Sequence, residues 1–283
     1  VANQISNQTI CHDDATTGII FTGNNPSIIY NWTNNSPIIG FPAFGVDSIP
    51  SFTGINNTAN DIIATISVVP DLNGCFGDTM FFTITVKPKP TLVPPANQTV
   101  CVGSSTNAII FNPAPSASIS TWTTSLQGIG FSSVTGVGDI PSFTTATVNP
   151  GNIDTAFISI VPDYNGCPGD TVSMYVAVIP TLQVNAINDT ILCSDDVYSG
   201  TVFTGNIPGI IDFDWINNNI SIGLGGSGTG NINPFTTTNT GTINQIGTIT
   251  VTPTMTLPSS AVCSGATSSF TITVKPTPNV FAL

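Results

Sequence analysis

Asn7-Gln8-Thr9-Ile10-Cys11 opens a pattern that places Trp32 21 residues after the cysteine, and it returns as Asn97-Gln98-Thr99-Val100-Cys101 with Trp122. A looser copy reads Asp189-Thr190-Ile191-Leu192-Cys193, with Trp215 22 residues on. The tryptophans lie 90 and 93 residues apart. Other landmarks keep step. Ile49-Pro50-Ser51-Phe52-Thr53 returns as Ile140-Pro141-Ser142-Phe143-Thr144, and Val69-Pro70-Asp71 as Val161-Pro162-Asp163. Asn73-Gly74-Cys75 returns as Asn165-Gly166-Cys167. Thr83-Ile84-Thr85-Val86-Lys87-Pro88 returns in the third copy as Thr271-Ile272-Thr273-Val274-Lys275-Pro276. A fixed period with matched landmarks is the mark of a tandem array.

Within the first copy, short apolar runs at 5–11, 17–21, 28–33, 38–41, 51–55, 62–69 and 79–86 are separated by Gly, Pro, Asn or Asp. Phe82, Ile84 and Val86 alternate with Phe81, Thr83 and Thr85, the period of a strand with one buried face. Seven such strands in about 90 residues, with a Trp on the third, predict an all-β chain of three immunoglobulin-like sandwiches with the Trp in each core. The expected domains are 1–89, 90–181 and 182–278, with 279–283 opening a further copy. Proline-rich joints (Lys87-Pro88-Lys89-Pro90, Ile179-Pro180, Lys275-Pro276-Thr277-Pro278) favour a stiff rod.

Composition narrows the function. Of the residues, 6% are charged; all 15 acids are Asp, and three Lys are the only strong bases, for a net charge of -12. Such a chain cannot neutralise a phosphate backbone, which argues against nucleic acid and anionic membrane as partners. No apolar run is long enough for a spanning helix. There is no initiator Met and no signal peptide, so the chain reads as processed or as a window on a longer array. Each Lys precedes Pro, which leaves trypsin almost no site.

Two cysteines per repeat imply an oxidising, extracellular compartment. The repeat favours pairing within each copy: Cys11 to Cys75, Cys101 to Cys167, Cys193 to Cys263. A simple strand count sets the two cysteines of one copy at opposite poles. A clasp between neighbours, Cys75 to Cys101 and Cys167 to Cys193, has an equal spacing of 26 residues in both cases and stays open.

Catalytic raw material is scarce. His12 beside Asp13 and Asp14 has no counterpart in the other copies, which carry Val102-Gly103 and Ser194-Asp195 there, and it reads as a turn residue. The glycines of 223–230 precede no helix and read as a loop. Asp71, Asn73 and Asp78, with Asp163, Asn165 and Asp170, place oxygen ligands around a glycine in a way that suits calcium, the one cofactor considered; the same residues also spell a β-turn. Asp followed by a hydroxyl residue marks Ser48, Thr79, Thr155, Thr171 and Thr190 as O-glycosylation candidates, although Asp-Thr is also ordinary at a strand start.

Gln-Thr-Val-Cys, Trp32-Thr33-Asn34-Asn35, Ile-Pro-Ser-Phe, Asn-Gly-Cys and Thr-Ile-Thr-Val-Lys-Pro together resemble the PKD-like repeats of giant Bacteroidota surface adhesins. That family includes the gliding-motility adhesin SprB. The third copy departs from the pattern at 259–263. The resemblance implies a cell-surface, type IX-secreted segment with a stalk or adhesive role rather than an enzyme. Its partners would be neighbouring repeats and an external surface or glycan. Each repeat acting as a calcium-assisted glycan-binding module is the alternative.

Overall fold

In the computed structural model, which describes residues 4–278, each repeat builds one five-stranded sheet in the same order. In the first repeat the short strand Gln8–Cys11 lies parallel to the last strand, Met80–Lys87. That strand is antiparallel to the long strand Ile62–Leu72, followed by Ile29–Asn34 and the edge strand Phe44–Val46. The second repeat repeats this with Gln98–Cys101, Val172–Ile179, Asp154–Tyr164, Ile119–Thr124 and Thr135–Val137. The third does so with Thr190–Cys193, Ser268–Lys275, Gln245–Thr256, Asp212–Asn217 and Ser227–Thr229. The all-β sandwich class is as expected.

The second layer is thin. In the first repeat it consists of Ile19–Ile20 paired with Ser48–Ile49 and a single bridge from Ala15 to Thr53. The expected strand at 51–55 is reduced to that bridge. The expected strand at 38–41 is instead a 3₁₀ turn, Pro37–Ile39. Pro37 has a fixed φ and no N–H to give a ladder, so the chain tightens there and drives Ile39 fully into the core. Gln127–Ile129 and Ile220–Ile222 do the same in the other repeats.

Alternation decides which face is covered. Ala64, Ile66 and Val68 of the long strand and Phe82, Ile84 and Val86 of the last strand point inward, together with Trp32, Phe41 and Ile49. Matching clusters surround Trp122 and Trp215. The three indoles are 5–8% exposed, so they are core residues as the spacing predicted.

A glycine faces each indole across the sheet edge. Trp32 pairs in register with Gly45, Trp122 with Gly136 and Trp215 with Gly228. A Cβ built on any of the three would fall inside 3.0 Å of the ring. These glycines therefore keep the edge strand free of side-chain volume so that the ring can lie flat beneath it.

Polar side chains close the loop that leads into the long strand. Buried Asn239 donates to the carbonyls of Ile243 and Val274, and Asn56 donates to those of Asn60 and Val86. The second repeat uses a carboxylate instead. Asp154, 3% exposed, accepts from the Val148 N–H (2.6 Å), the Asn149 N–H (3.1 Å) and Asn149 Nδ2 (2.8 Å). Burial pushes this carboxyl up, but the Asn149 and Val148 donors pull it further down, to a net position below the ordinary carboxylate value.

A pH dependence follows. A depressed folded-state pKa adds stability above the unfolded value, about 3.9, and that contribution is lost as pH falls through the lower folded value. Asp154→Asn should therefore destabilise the second repeat at neutral pH by about 2 kcal/mol, the scale of hydrogen bonds to a charged group. The gap between variant and parent should close below pH 4. Urea unfolding at several pH values, with hydrogen exchange followed on the Asp154–Tyr164 strand, measures both effects.

Candidate functional site: the interdomain junctions

The parallel pairing of first and last strands decides where the cysteines go. Cys11 stands in register with Lys87, at the end of the last strand from which the chain leaves the repeat. Cys75 lies in the hairpin that precedes that strand. Eight extended residues separate the two ends, about 25 Å. A disulfide needs Cα atoms within about 7 Å, so Cys11 cannot reach Cys75.

The structure accordingly corrects the expected pairing. Cys11 bonds Cys167, and Cys101 bonds Cys263. In each case the first cysteine of one repeat meets the second cysteine of the next. The exit pole of one domain faces the entry hairpin of its successor, and this apposition was in neither sequence alternative. Cys75 and Cys193, expected in pairs, are exposed free thiols. The closed loops run from 11 to 167 and from 101 to 263, so they overlap across the whole second repeat.

Around the first junction the contacts are polar. Lys87 Nζ donates to the Asn165 carbonyl at 2.7 Å. Lys89 and Asp170 form an ion pair at 2.7 Å. The Asp170 carboxylate, hydrogen-bonded to that ammonium, holds the Lys89 pKa above its ordinary value. The second junction is apolar. Ile179 stands where Lys87 stood and packs with Leu182, Ile207, Leu257 and Cys263. Cys167 and Cys263 are 2% and 4% exposed.

Both junctions also need a glycine. A Cβ on Gly169 would overlap the Pro90 carbonyl, and one on Gly265 the Leu182 carbonyl. The linker backbone thus lies directly on the hairpin of the domain it enters. Sequence reading passed over both glycines; their constant place two residues after the second cysteine was the available signal.

The calcium candidates occupy these hairpins. Asp71 Oδ1 accepts the Gly74 N–H and Asp163 Oδ1 the Gly166 N–H, both at 2.8 Å, with Asn73 and Asn165 in the left-handed region. They close turns that present Cys75 and Cys167. Asp78 is exposed, and Asp170 is paired with Lys89. No group of three or more His, Cys, Asp or Glu gathers among the described residues.

Among the glycosylation candidates, Ser48, Thr79 and Thr171 are exposed, while Thr155 and Thr190 are half-buried. Asp189, before Thr190, accepts the Thr271 N–H, as Asn7 and Asn97 accept those of Thr83 and Tyr175. Asp-Thr at that place belongs to strand construction.

His12 also has a structural task. Its Nδ1 accepts the Asn56 N–H at 2.8 Å, and Ser194 Oγ accepts the equivalent Asn239 N–H in the third repeat. A crevice of about 430 Å³ opens beside it, lined by Asn56, Thr58, Lys89 and Pro115 among others. Thr58 Oγ1 is within hydrogen-bond distance of Asn56 Oδ1 and the Asn60 carbonyl. An exposed aromatic pair, Phe157 with Tyr175, lies on the outer face of the second repeat. Threonines hold the corresponding places in the others, Thr65 with Thr83 and Thr248 with Thr271.

No family model and no curated protein matches the sequence. Several solved structures of tandem domains are similar along nearly the full length. The Dpr2 Ig1-Ig2 complex with DIP-Theta Ig1-Ig3 has a TM-score of 0.42 at 10% identity, covering 97% of this chain and 98% of that one. Mouse cadherin-23 EC22-24 has a TM-score of 0.36 at 9% identity, covering 96% and 97%. The titin I9-I11 tandem has a TM-score of 0.31 at 14% identity, covering 98% and 100%. At such scores the reading of this chain rests on its own strand order and junctions.

Proposed function

We propose that the chain is a load-bearing segment of an extracellular surface adhesin, a stalk in which each immunoglobulin-like repeat is covalently fastened to the next. The observation that carries this reading is the pair of disulfides joining successive repeats. A bond inside a domain stabilises that domain; a bond across a joint fixes the angle between domains. Structural disulfides belong to oxidising compartments. His12, Asp71, Asp163 and Asp154 are each engaged in holding loops and turns. That favours a mechanical over a catalytic role.

The resemblance to PKD-like repeats adds the finer reading: type IX export, a place in surface attachment or gliding, and O-glycans on exposed Ser48, Thr79 and Thr171. On intact source cells, antibody against this chain should label the surface and reduce attachment to a solid support. Protein purified from those cells should exceed its sequence mass in sugar-sized steps. Labelling that appears only after permeabilisation would overturn the surface assignment, and an unmodified mass would remove the glycans.

A further inference from the structure

The two free thiols occupy the two halves of one junction. The hairpin of the first repeat, Asp71-Leu72-Asn73-Gly74-Cys75, matches that of the second, Asp163-Tyr164-Asn165-Gly166-Cys167, in more than sequence. Asn73 and Asn165 have φ of 52° and 51°, and Gly74 and Gly166 have φ of 86° and 88°. The Gly77 N–H donates to the Pro70 carbonyl as Gly169 does to that of Pro162. In the second repeat this hairpin is bonded to Cys11, contacted by Lys87 and covered by the Pro90 carbonyl. In the first, Cys75 is exposed, Phe76 is 72% exposed, and the nearest atoms to a Cβ on Gly77 belong to its own Pro70, the first at 3.0 Å.

The exit pole of the third repeat matches that of the first. Cys193 is in register with Lys275 as Cys11 is with Lys87. Asp13 and Asp195 both have φ of 71°. The N–H of Cys11 donates to Asp14 Oδ2 and that of Cys193 to Asp196 Oδ2. Lys275-Pro276-Thr277-Pro278 repeats Lys87-Pro88-Lys89-Pro90 with the prolines in place. In the first repeat this pole holds a hairpin. In the third, Cys193 and Lys275 are exposed.

We infer that the Cys75 hairpin of one molecule docks on the Cys193 pole of a second copy, head to tail, and is fastened there by a Cys75–Cys193 disulfide. The pairing reuses the first junction residue for residue. Lys275 takes the part of Lys87 and donates to the Asn73 carbonyl, and the Pro278 carbonyl settles over Gly77. The inference deepens the stalk reading and rests on it. Such an interface is heterologous, so each copy added leaves a fresh pole and a fresh hairpin, and the product is an open filament.

Closure needs a two-electron oxidant, and a small-molecule disulfide such as oxidised glutathione supplies it. The Cys193 thiolate attacks one glutathione sulfur and releases one glutathione thiolate. The Cys75 thiolate then attacks the Cys193 sulfur of the mixed disulfide and releases the second. Two protein thiols are oxidised, one glutathione disulfide is reduced to two thiols, and the two protons pass to them.

The test incubates the purified chain at rising concentration in a glutathione redox buffer, then maps cross-links by mass spectrometry. Because every lysine precedes proline, chymotrypsin replaces trypsin. The expected result is a ladder of oligomers in which the Cys75-to-Cys193 link exceeds either symmetric link at least tenfold, a bias of about 1.4 kcal/mol. Cys75→Ser mixed with Cys193→Ser should stop at dimers. Gly77→Ala leaves both thiols in place and should still depress the ladder, by setting a Cβ where the Pro278 carbonyl settles. Symmetric links in equal share, or thiols that remain glutathione adducts, would overturn the inference. The same digest reports Cys11–Cys167 and Cys101–Cys263. Their presence beside a failed ladder leaves the stalk reading standing, and their absence sinks both.

Discussion

Cys11→Ser/Cys167→Ser will turn the first junction from a fixed joint into a hinge. The bond closes a loop spanning 156 residues, and in the chain-entropy model its removal costs about 4 kcal/mol. What remains at that joint is a hydrogen bond from Lys87 and an exposed ion pair between Lys89 and Asp170. Exposed pairs of that kind contribute about 0–1 kcal/mol, and molar salt shortens screening to about 3 Å. Small-angle scattering should therefore show a broadened distribution of maximum dimension in this variant, broader still in high salt. The fluorescence of the buried tryptophans should stay native, because no core is touched.

The companion variant, Cys101→Ser/Cys263→Ser, should behave differently. Its joint keeps Ile179, Leu182, Ile207 and Leu257 packed together, and apolar contact is indifferent to screening. The second and third repeats should stay aligned at high salt after their disulfide is gone. Equal loosening of the two joints would show that the surrounding contacts carry no share of the stiffness.

The second large effect concerns the space beneath the edge strand. Gly136→Ala places a methyl group inside 3.0 Å of the Trp122 indole, which is buried among Ile129, Phe131 and Ile160 and cannot swing aside. Overpacking of this kind costs about 1–3 kcal/mol. Trp122→Ala alone should cost about 3–5 kcal/mol through lost burial and a cavity. In the double variant the methyl group enters vacated space, so the combined loss should fall below the sum of the two. Urea unfolding of the three variants closes this cycle. Additive losses would mean that Gly136 serves the strand backbone and has no part in seating the ring.

Much of the fold could be read directly. Alternation along Met80–Lys87 named the inward residues Phe82, Ile84 and Val86, and the spacing of Trp32, Trp122 and Trp215 named the core. The misreadings have physical causes. Residues 38–41 are apolar enough for a strand, but Pro37 cannot join a ladder, so the segment tightens into a turn. Phe44–Val46 was passed over because an edge strand exposed on one side carries little alternation, and its working residue, Gly45, is defined by the ring opposite.

The junctions divide the two kinds of information most clearly. Sequence alone determined that there are three repeats, that each is a small sandwich around a tryptophan, and that two cysteines per repeat belong to an oxidising compartment. Those conclusions depend on local periodicity and composition, which a linear text contains. Only the tertiary structure decided which cysteine meets which. Gln8–Cys11 runs parallel to Met80–Lys87, carrying Cys11 to the exit pole and leaving Cys75 about 25 Å away at the entry. Partners are chosen by proximity in space, and here the nearest sulfur lies 156 residues along the chain, in the next domain.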